Sequence, residues 1–307
     1  MINELYIDGQ GITSNFGVHL QQYGLKQLIQ MPAFKSVDVT DWAEEDGVEV
    51  DLSAPVLNSR KISLQFVAED YGYLQDFYDF LNNSARRTYS FATLNKSFAL
   101  RVLNCNTVKI GTNIAQITVQ MQEDSPTVPT GTAYALGASE VTQRLLEIDD
   151  IDFSQFGVWV LKGTVDEIVK LGNTKTALTV NPKKVAGVIY DSTKAVKIKT
   201  RDIKLKFLID APNVTAFWER WNALFATVMS AGEHTLYSAQ ALMTMQCYYK
   251  SNSVSKFDVL NNGKVWCEFT LTLTVIKSET AVPTDTLLAT ESGEIVIADS
   301  YNAIIIE

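Results

Sequence analysis

The amino-acid sequence predicts a mainly β protein made of two tandem, homologous antiparallel β-sandwich or barrel domains, each with one packed helix. Three observations predict this fold. Several elements occur twice in the same order, most of them alternate apolar and polar residues as strands do, and one segment in each copy has helical spacing. With 307 residues the chain is long enough for two domains that each hold a core of their own.

The first repeated elements are a short phrase and a strand. The phrase reads SNFGV from Ser14 and SQFGV from Ser154, an offset of 154 − 14 = 140 residues. The strand reads RKISLQF from Arg60 and RDIKLKF from Arg201, an offset of 201 − 60 = 141. Its apolar residues alternate in both copies, which predicts one face in the core.

A segment of helical spacing follows the strand in each copy. Pro212 and Asn213 indicate where the second helix begins. The next pair of matched strands begins at Arg86 and at Glu233. Thr88 matches Thr235 in them, and the offset of 235 − 88 = 147 predicts a second helix about two turns longer than the first. The apolar residues with helical spacing are Tyr71, Leu74, Phe77, Tyr78 and Leu81 in the first copy, and Val214, Phe217, Trp218, Trp221, Leu224, Phe225 and Val228 in the second.

The last repeated elements are an alternating strand, from Ala115 and from Glu268, and a VPT motif at Pro129 and Pro283. The proline offset is 283 − 129 = 154, so the offsets rise along the chain and never fall, as insertions into a duplicated unit would produce. The sequence therefore predicts four segments: a first domain at 1–126, a linker at 127–147, a second domain at 148–279 and a C-terminal extension at 280–307.

The linker and the extension are predicted from composition. The linker is rich in Pro, Thr, Gly and Ala. The extension contains two short apolar runs on either side of the DSYN sequence, and these could form a hairpin. Two interpretations of the extension are equally supported: it packs on the second domain, or it adds a strand to a neighbouring chain.

Overall composition limits the class of protein. Hydrophobic residues make up 46% and charged residues 20%, which is typical of a globular protein. We find no apolar stretch that could span a bilayer and no secretory signal. The three cysteines, Cys105, Cys247 and Cys267, are interpreted as buried and reduced, which favours a reducing compartment. The net charge of −9 argues against a protein that grips nucleic acid.

Catalytic chemistry has little support in the sequence. The two histidines, His19 and His234, have no metal-ligand spacing around them and are interpreted as surface or turn residues. The acidic segment at 37–51 lacks the spacing of an EF-hand loop. We therefore predict no enzyme, and no catalytic, cofactor-binding or metal-binding residue; an enzyme with an improvised site is the weakest interpretation.

The acidic segment and its counterpart carry the candidate assembly contacts. The counterpart in the second copy, from Val180, is basic, so head-to-tail copies would bring opposite charges together. In the alternative interpretation, the acidic and the basic loop both face water and make no contact. The candidate contact residues are Trp42, Glu44, Glu45, Asp46, Lys183 and Lys184.

Four stretches of the first copy carry a resemblance to a known family. They read LYIDGQGITSNFGV, DWAEEDGVEVDLSAP, KISLQFVAE and YLQDFYDFL. They resemble tail proteins of long-tailed bacteriophages and prophages of Bacteroides-type bacteria, and the order of strands and helix is similar to the tail-tube and distal-tail superfamily.

The resemblance implies a structural component of the virion, a distal-tail, tube or hub-like protein without cofactor or enzymatic activity. It implies a ring of three or six chains around the DNA channel, in contact with other tail and baseplate proteins. DNA would pass through without specific binding, and no membrane would be involved. The protein would be made in the cytoplasm of the bacterial host and end in the tail.

An alternative function comes from a different class, a carbohydrate-binding, adhesin-like protein with two sandwich modules. Such a protein needs aromatic side chains exposed on a sheet or loop. Trp42 and Trp159 are the candidates for that role.

Overall fold

The chain forms two antiparallel seven-stranded sheets, one from each half, together with short two-stranded hairpins. The predicted fold class, mainly β with two tandem units that each pack a helix, is confirmed. The structure is a computed structural model, and it describes residues 4–21, 25–83, 86–109, 114–133, 145–177, 179–184, 186–190 and 195–280, together with four two-residue strand segments beyond them.

The first unit contains the first of these two sheets. Its strands pair in the order β2-β1-β7-β8-β9-β6-β3, and β4 pairs only with β5 in a separate hairpin. The elements are β1 (Leu5–Ile7), β2 (Gln10–Gly11), α1 (Ile12–Phe16), β3 (Val18–Leu20), α2 (Leu25–Ile29), β4 (Val39–Thr40), β5 (Glu49–Val50), β6 (Arg60–Ala68), α3 (Gly72–Asn82), β7 (Arg87–Phe91), β8 (Lys96–Lys109) and β9 (Ala115–Glu123).

The second unit repeats this plan. Its sheet has the order β11-β10-β16-β17-β18-β15-β12, and β13 pairs with β14 in a separate hairpin. The elements are β10 (Leu146–Ile148), β11 (Ile151–Asp152), β12 (Trp159–Val160), α4 (Thr164–Ile168), β13 (Thr179–Val180), β14 (Ile189–Tyr190), β15 (Arg201–Ala211), α5 (Val214–Val228), β16 (His234–Ser238), β17 (Met243–Val259) and β18 (Val265–Thr280).

The two sheets have one topology. Replacing each strand of the first sheet by its repeat in the chain reproduces the order of the second sheet. A bulge is repeated as well, at Leu103 in β8 and at Lys250 in β17, where each strand gains one residue against its partner. A shared strand order with a shared irregularity is what tandem duplication of one module produces.

The repeated SNFGV and SQFGV phrases form one and the same turn. A helical turn, Ile12–Phe16 in α1 or the 3-10 turn Phe153–Phe156, ends at a glycine in the left-handed region. The φ angles are 56° at Gly17 and 65° at Gly157. A glycine adopts this conformation without strain, and it turns the chain directly into the edge strand of the sheet.

The core is built from the strands whose alternation the sequence predicted. Every second residue of β6 and of β15 is buried, and the same holds along most of β9 and β18. The helices α3 and α5 add aromatic side chains, including Phe77 and Trp221, to these strand faces. The buried apolar residues of both units form one continuous cluster.

The lengths of the two packed helices correct one prediction. Helix α3 has 11 residues and α5 has 15, so the second is longer by 15 − 11 = 4 residues, about one turn and not two. Outside the helix, β15 is two residues longer than β6, the connection before the helix is one residue shorter in the second unit, and the connection after it is one residue longer. None of the helices among the described residues is long and apolar enough to cross a membrane.

An aspartate that follows the first strand of each unit holds the next strand of the sheet in place. Asp8 accepts the backbone N–H of Thr88 at 2.8 Å and pairs with the Arg87 guanidinium at 2.6 Å. Asp149 accepts the backbone N–H of Thr235 at 2.8 Å and lies 2.7 Å from Nδ1 of His234.

His234 therefore occupies the position of Arg87. The interpretation of this histidine as a surface or turn residue is wrong, because it is buried within β16.

The predicted segment limits stay predictions. Strand β10 begins at Leu146, inside the segment predicted as a linker, and residues 134–144 of that segment lie outside the described residues. In the C-terminal extension, Leu288–Ala289 pairs with Ile295–Val296, and Ala298–Asp299 pairs with Asn302–Ala303. The remainder of the extension lies outside the described residues.

We expect Asp8→Asn to lower the free energy of unfolding by about 1–2 kcal/mol at neutral pH, because it leaves the buried Arg87 guanidinium without its counterion. Asp150→Asn is the matched control, since Asp150 shares the left-handed backbone of Asp8 and is exposed. Urea denaturation measures both variants, and equal effects would contradict the prediction.

The same pair makes a pH prediction. The Thr88 N–H, with the Arg87 guanidinium, holds the pKa of Asp8 below its ordinary value. The stability that this carboxylate contributes is therefore present at neutral pH and is lost as the pH falls below about 4, through the pKa of the folded state. The difference between the wild type and Asp8→Asn should shrink over that range.

Candidate assembly surfaces

Each unit extends a two-stranded hairpin away from its sheet. We call residues 39–50, which carry β4 and β5, the first arm, and residues 179–190, which carry β13 and β14, the second arm. The two arms have the same pairing, Thr40 with Glu49 and Val180 with Ile189, at an offset of 180 − 40 = 140. The arms are therefore equivalent parts of the duplicated module.

The first arm lies on the second unit of the same chain, and a buried lysine anchors it there. The Lys175 ammonium donates to the backbone carbonyls of Trp42 at 2.7 Å and Gly47 at 2.5 Å, and it pairs with Asp41 at 2.5 Å. Lys175 is only 8% exposed. A buried ammonium needs such acceptors, so this lysine fixes the loop that joins the two strands of the arm.

A second set of bonds surrounds the arm tip. Gly47 N donates to Ile198 O at 2.8 Å, and Ile198 N donates to Oδ1 of Asp46 at 2.7 Å. The Lys197 ammonium lies 3.6 Å from Oδ2 of Asp46. We call Lys175, Lys197 and Ile198 the docking edge of the second unit.

Gly47 is the point of closest approach between the arm and the second unit. It has a φ of 70°, and a Cβ placed there would lie 1.7 Å from the carbonyl oxygen of Ile276 in β18. No side chain fits at that distance, so only glycine permits the arm to dock.

The segment that leads into the first arm also packs on the second unit. Met31 N donates to Oδ1 of the buried Asn252 at 2.8 Å, and the Tyr249 hydroxyl donates to Pro32 O at 3.0 Å. The ring of Phe34 meets the ring of Tyr249 edge-on, with centroids 5.2 Å apart. Strand β17 is thus covered by residues from the first unit.

Helix α5 makes a further contact between the units. The Trp218 indole N–H donates to Leu94 O at 2.7 Å, and the Lys96 ammonium lies 3.8 Å from the Trp218 ring centroid. Burial, together with the charge of Arg60, lowers the pKa of Lys96. Gly131, in the predicted linker, crosses the same helix so closely that a Cβ would lie 2.8 Å from Ala223 N.

The predicted contact residues differ in what they contact in the structure. Asp46 contacts Lys197 and Ile198 within its own chain, so the acidic segment meets basic residues in cis. Glu44, Glu45, Lys183 and Lys184 are exposed on the two arms. Trp42 is 52% exposed, and its indole N–H donates to Glu49 at 3.2 Å.

Sequence reasoning did not single out Lys175, Gly47 or Lys35. The signal that could have found them is the repeat itself, because Lys35 and Lys175, and Gly47 and Gly187, both lie 140 residues apart. These spacings match the offset of the FGV phrase. A lysine and a glycine that recur at the same offset as the rest of the repeat, within an otherwise polar segment, indicate that the lysine and the backbone at the glycine take part in a contact.

Titratable groups elsewhere are engaged in structural contacts. His19 pairs with Glu69 at 2.5 Å on the surface, and burial raises the pKa of the Cys247 and Cys267 thiols. Within the part of the chain that the structure describes, no group of three or more His, Cys, Asp or Glu side chains could hold a metal ion.

Comparisons with known proteins find weak similarity among solved structures. No protein-family model matches the chain, and no curated protein matches it. Among solved structures, the chain is similar to the Dit (gp 19.1) protein of SPP1, described as a paradigm of hub adsorption apparatus in phages that infect Gram-positive bacteria. The identity is 10%, the similarity covers 91% of this chain and 100% of that chain, and the TM-score is 0.28.

A TM-score this low assigns neither a common fold nor a common function. The Bacteroides-type host predicted from the sequence receives no support from the comparison.

We expect Lys175→Met to lower the free energy of unfolding by about 2 kcal/mol, since the carbonyls of Trp42 and Gly47 lose a charged donor in a buried place. Urea denaturation at low protein concentration measures the loss. Hydrogen exchange should show that the Gly47 amide, which bonds Ile198 O, loses protection.

Lys35→Met is the matched control, because Lys35 holds the equivalent position and is exposed. Its effect in dilute solution should stay within about 0.5 kcal/mol. Equal losses in the two variants would show that Lys175 does not anchor the arm.

Proposed function

We propose that this chain is a structural component of a phage tail, a distal-tail or tube/hub-like protein that assembles into a ring of three or six chains around the DNA channel. It would contact other tail and baseplate proteins, reside in the virion and carry out no catalysis. Its expected origin is a phage or a prophage.

The observation that carries the proposal is the head-to-tail contact between two like units within one chain. The first unit places its arm on the docking edge of the second, so a given surface of the module meets a different surface of its copy. A contact of this heterologous kind continues from unit to unit and closes into a ring when the rotation permits.

The charge supports passage of DNA rather than binding. A net charge of −9 keeps a ring wall from adhering to phosphate, and it leaves a duplex free to slide. The sequence resemblance to tail-tube and distal-tail proteins points to the same role. The net charge and the sequence resemblance are arguments independent of the contact between the units.

Light scattering coupled to size-exclusion chromatography tests the proposal. At high protein concentration we expect a species of three or six times the chain mass of 34.1 kDa, and electron microscopy should show rings with a central hole. Duplex DNA at physiological salt should not bind. A chain that stays strictly monomeric and fails to join tail particles would contradict the proposal.

A second candidate function is carbohydrate binding by the two units, and the observation in its favour is the exposure of Trp42 and Trp159. The repeat argues against a platform shared by both units. Pro182 stands at the position equivalent to Trp42, and His19, which pairs with Val67 as Trp159 pairs with Leu208, stands at the position of Trp159. A glycan array in which Trp42→Ala and Trp159→Ala abolish a signal would favour this second function.

A further inference from the structure

The second arm is equivalent to the first but does not dock in the same way. Gly187 matches Gly47 at 187 − 47 = 140 residues and has a φ of 81° where Gly47 has 70°. A Cβ at Gly187 would meet no atom within 4 Å, whereas one at Gly47 would collide with β18. The φ of Gly187 favours glycine by itself, but no neighbouring atom among the described residues excludes a side chain there, as one does at Gly47.

The first unit carries the matching docking edge. Lys35 N bonds Val56 O at 2.8 Å, as Lys175 N bonds Lys197 O at 2.7 Å, and both pairs adjoin an equivalent β-bridge, Phe34 with Leu57 and Thr174 with Ile198. Lys35, Val56 and Leu57 thus occupy the positions of Lys175, Lys197 and Ile198. We call them the docking edge of the first unit.

The two docking edges differ in exposure. Lys175 is buried beneath the first arm, whereas Lys35 is exposed and its ammonium makes no hydrogen bond or ion pair among the described residues. Within the described part of the chain, the arm of the second unit and the docking edge of the first unit are therefore both unoccupied.

Several side chains of the free pair are apolar where the docked pair carries charged or polar ones. Asp46 and Lys197 form an ion pair in the docked contact, and their equivalents are Ala186 and Val56, the latter 55% exposed. Along the second arm, Val180, Ile189 and Tyr190 replace Thr40, Glu49 and Val50, and all three are exposed. Exposed apolar side chains grouped on one hairpin mark an interaction surface.

The segment that leads into the second arm leaves an apolar residue exposed where its equivalent is covered. Leu171 is equivalent to Met31, which packs against the core, yet Leu171 is 89% exposed. The bulge residue that this segment would meet is Leu103, equivalent to Lys250, and Leu103 is also exposed. Exposed apolar groups therefore lie on both of the matching surfaces.

We infer that the second arm of one chain docks on the first unit of a second copy, at Lys35, Val56 and Leu57, as the first arm docks on the second unit. In this contact the Lys35 ammonium donates hydrogen bonds to the carbonyl oxygens of Pro182 and Gly187 and to the side-chain oxygen of Asn181. Gly187 N donates to Leu57 O. The inference rests on the proposed ring and names the surface that closes it.

Gly187→Ala tests the inference because the added Cβ meets no atom in the free chain, where it adds only the backbone strain of a φ of 81°, and it would collide in the assembly. We expect a folded monomer whose self-association, followed by light scattering, is about 30-fold weaker or more. Gly263→Ala is the matched control, since Gly263 has a φ of 83° and no atom within 4 Å of its Cβ position. It should assemble like the wild type.

Cross-linking gives a second readout in a Cys105→Ser background, with a short bis-maleimide as the reagent. Val56→Cys mixed with Ala186→Cys should yield interchain products, while either variant alone should not. The control pair Asp46→Cys and Lys197→Cys in one chain should cross-link without a change in chain number.

The outcomes separate this inference from the proposed function. Rings that form normally with Gly187→Ala and give no Val56–Ala186 product would overturn the arm contact and leave the ring standing. A wild-type chain that never associates would overturn both.

Discussion

The buried ammonium of Lys175 joins the two halves of this protein. It donates hydrogen bonds to two backbone carbonyls of the first arm and pairs with one carboxylate, so it recognises the backbone of the hairpin more than its side chains. Desolvation of a lysine is costly, and acceptors in a fixed arrangement are what offset that cost. Gly47 complements the lysine, because the arm approaches β18 too closely for any side chain. The contact thus depends on backbone geometry, which a duplicated module inherits in both copies.

That dependence explains how the two copies could diverge. The glycine and the lysine occur in both units, while several residues around them are charged in the docked pair and apolar in the free pair. The Asp46–Lys197 pair lies at an exposed rim, where an ion pair contributes little energy and mainly selects a partner. In the proposed assembly, different side chains over a common backbone contact would let the chain distinguish its internal neighbour from an external one.

The two units also share a hydrophobic core, so they are held together by buried apolar contacts as well as by the docked arm. Residues 31–34 cover β17, Trp218 bonds Leu94, and the apolar cluster runs through both sheets. The Asp8–Arg87 and Asp149–His234 pairs show the same inheritance, since each aspartate keeps the backbone bond and only its side-chain partner differs. The burial of His234 therefore has a structural cause.

Local patterns in the sequence predicted part of each sheet, because the alternation in β6, β9, β15 and β18 reports directly which face is buried. The long strands β8 and β17 were not predicted. The predicted gain of two turns in α5 was wrong because an offset between strands does not distinguish helix residues from loop residues.

By itself the sequence determined the duplication, the mainly β fold class and the acidic net charge, since each follows from the order or composition of residues. Only the tertiary structure decided that the acidic arm docks within its own chain and that His234 is buried. Both depend on which residues lie close in space after folding, and Lys175 meets Asp41 across 134 positions of the chain. Local periodicity carries no information about a contact at that separation.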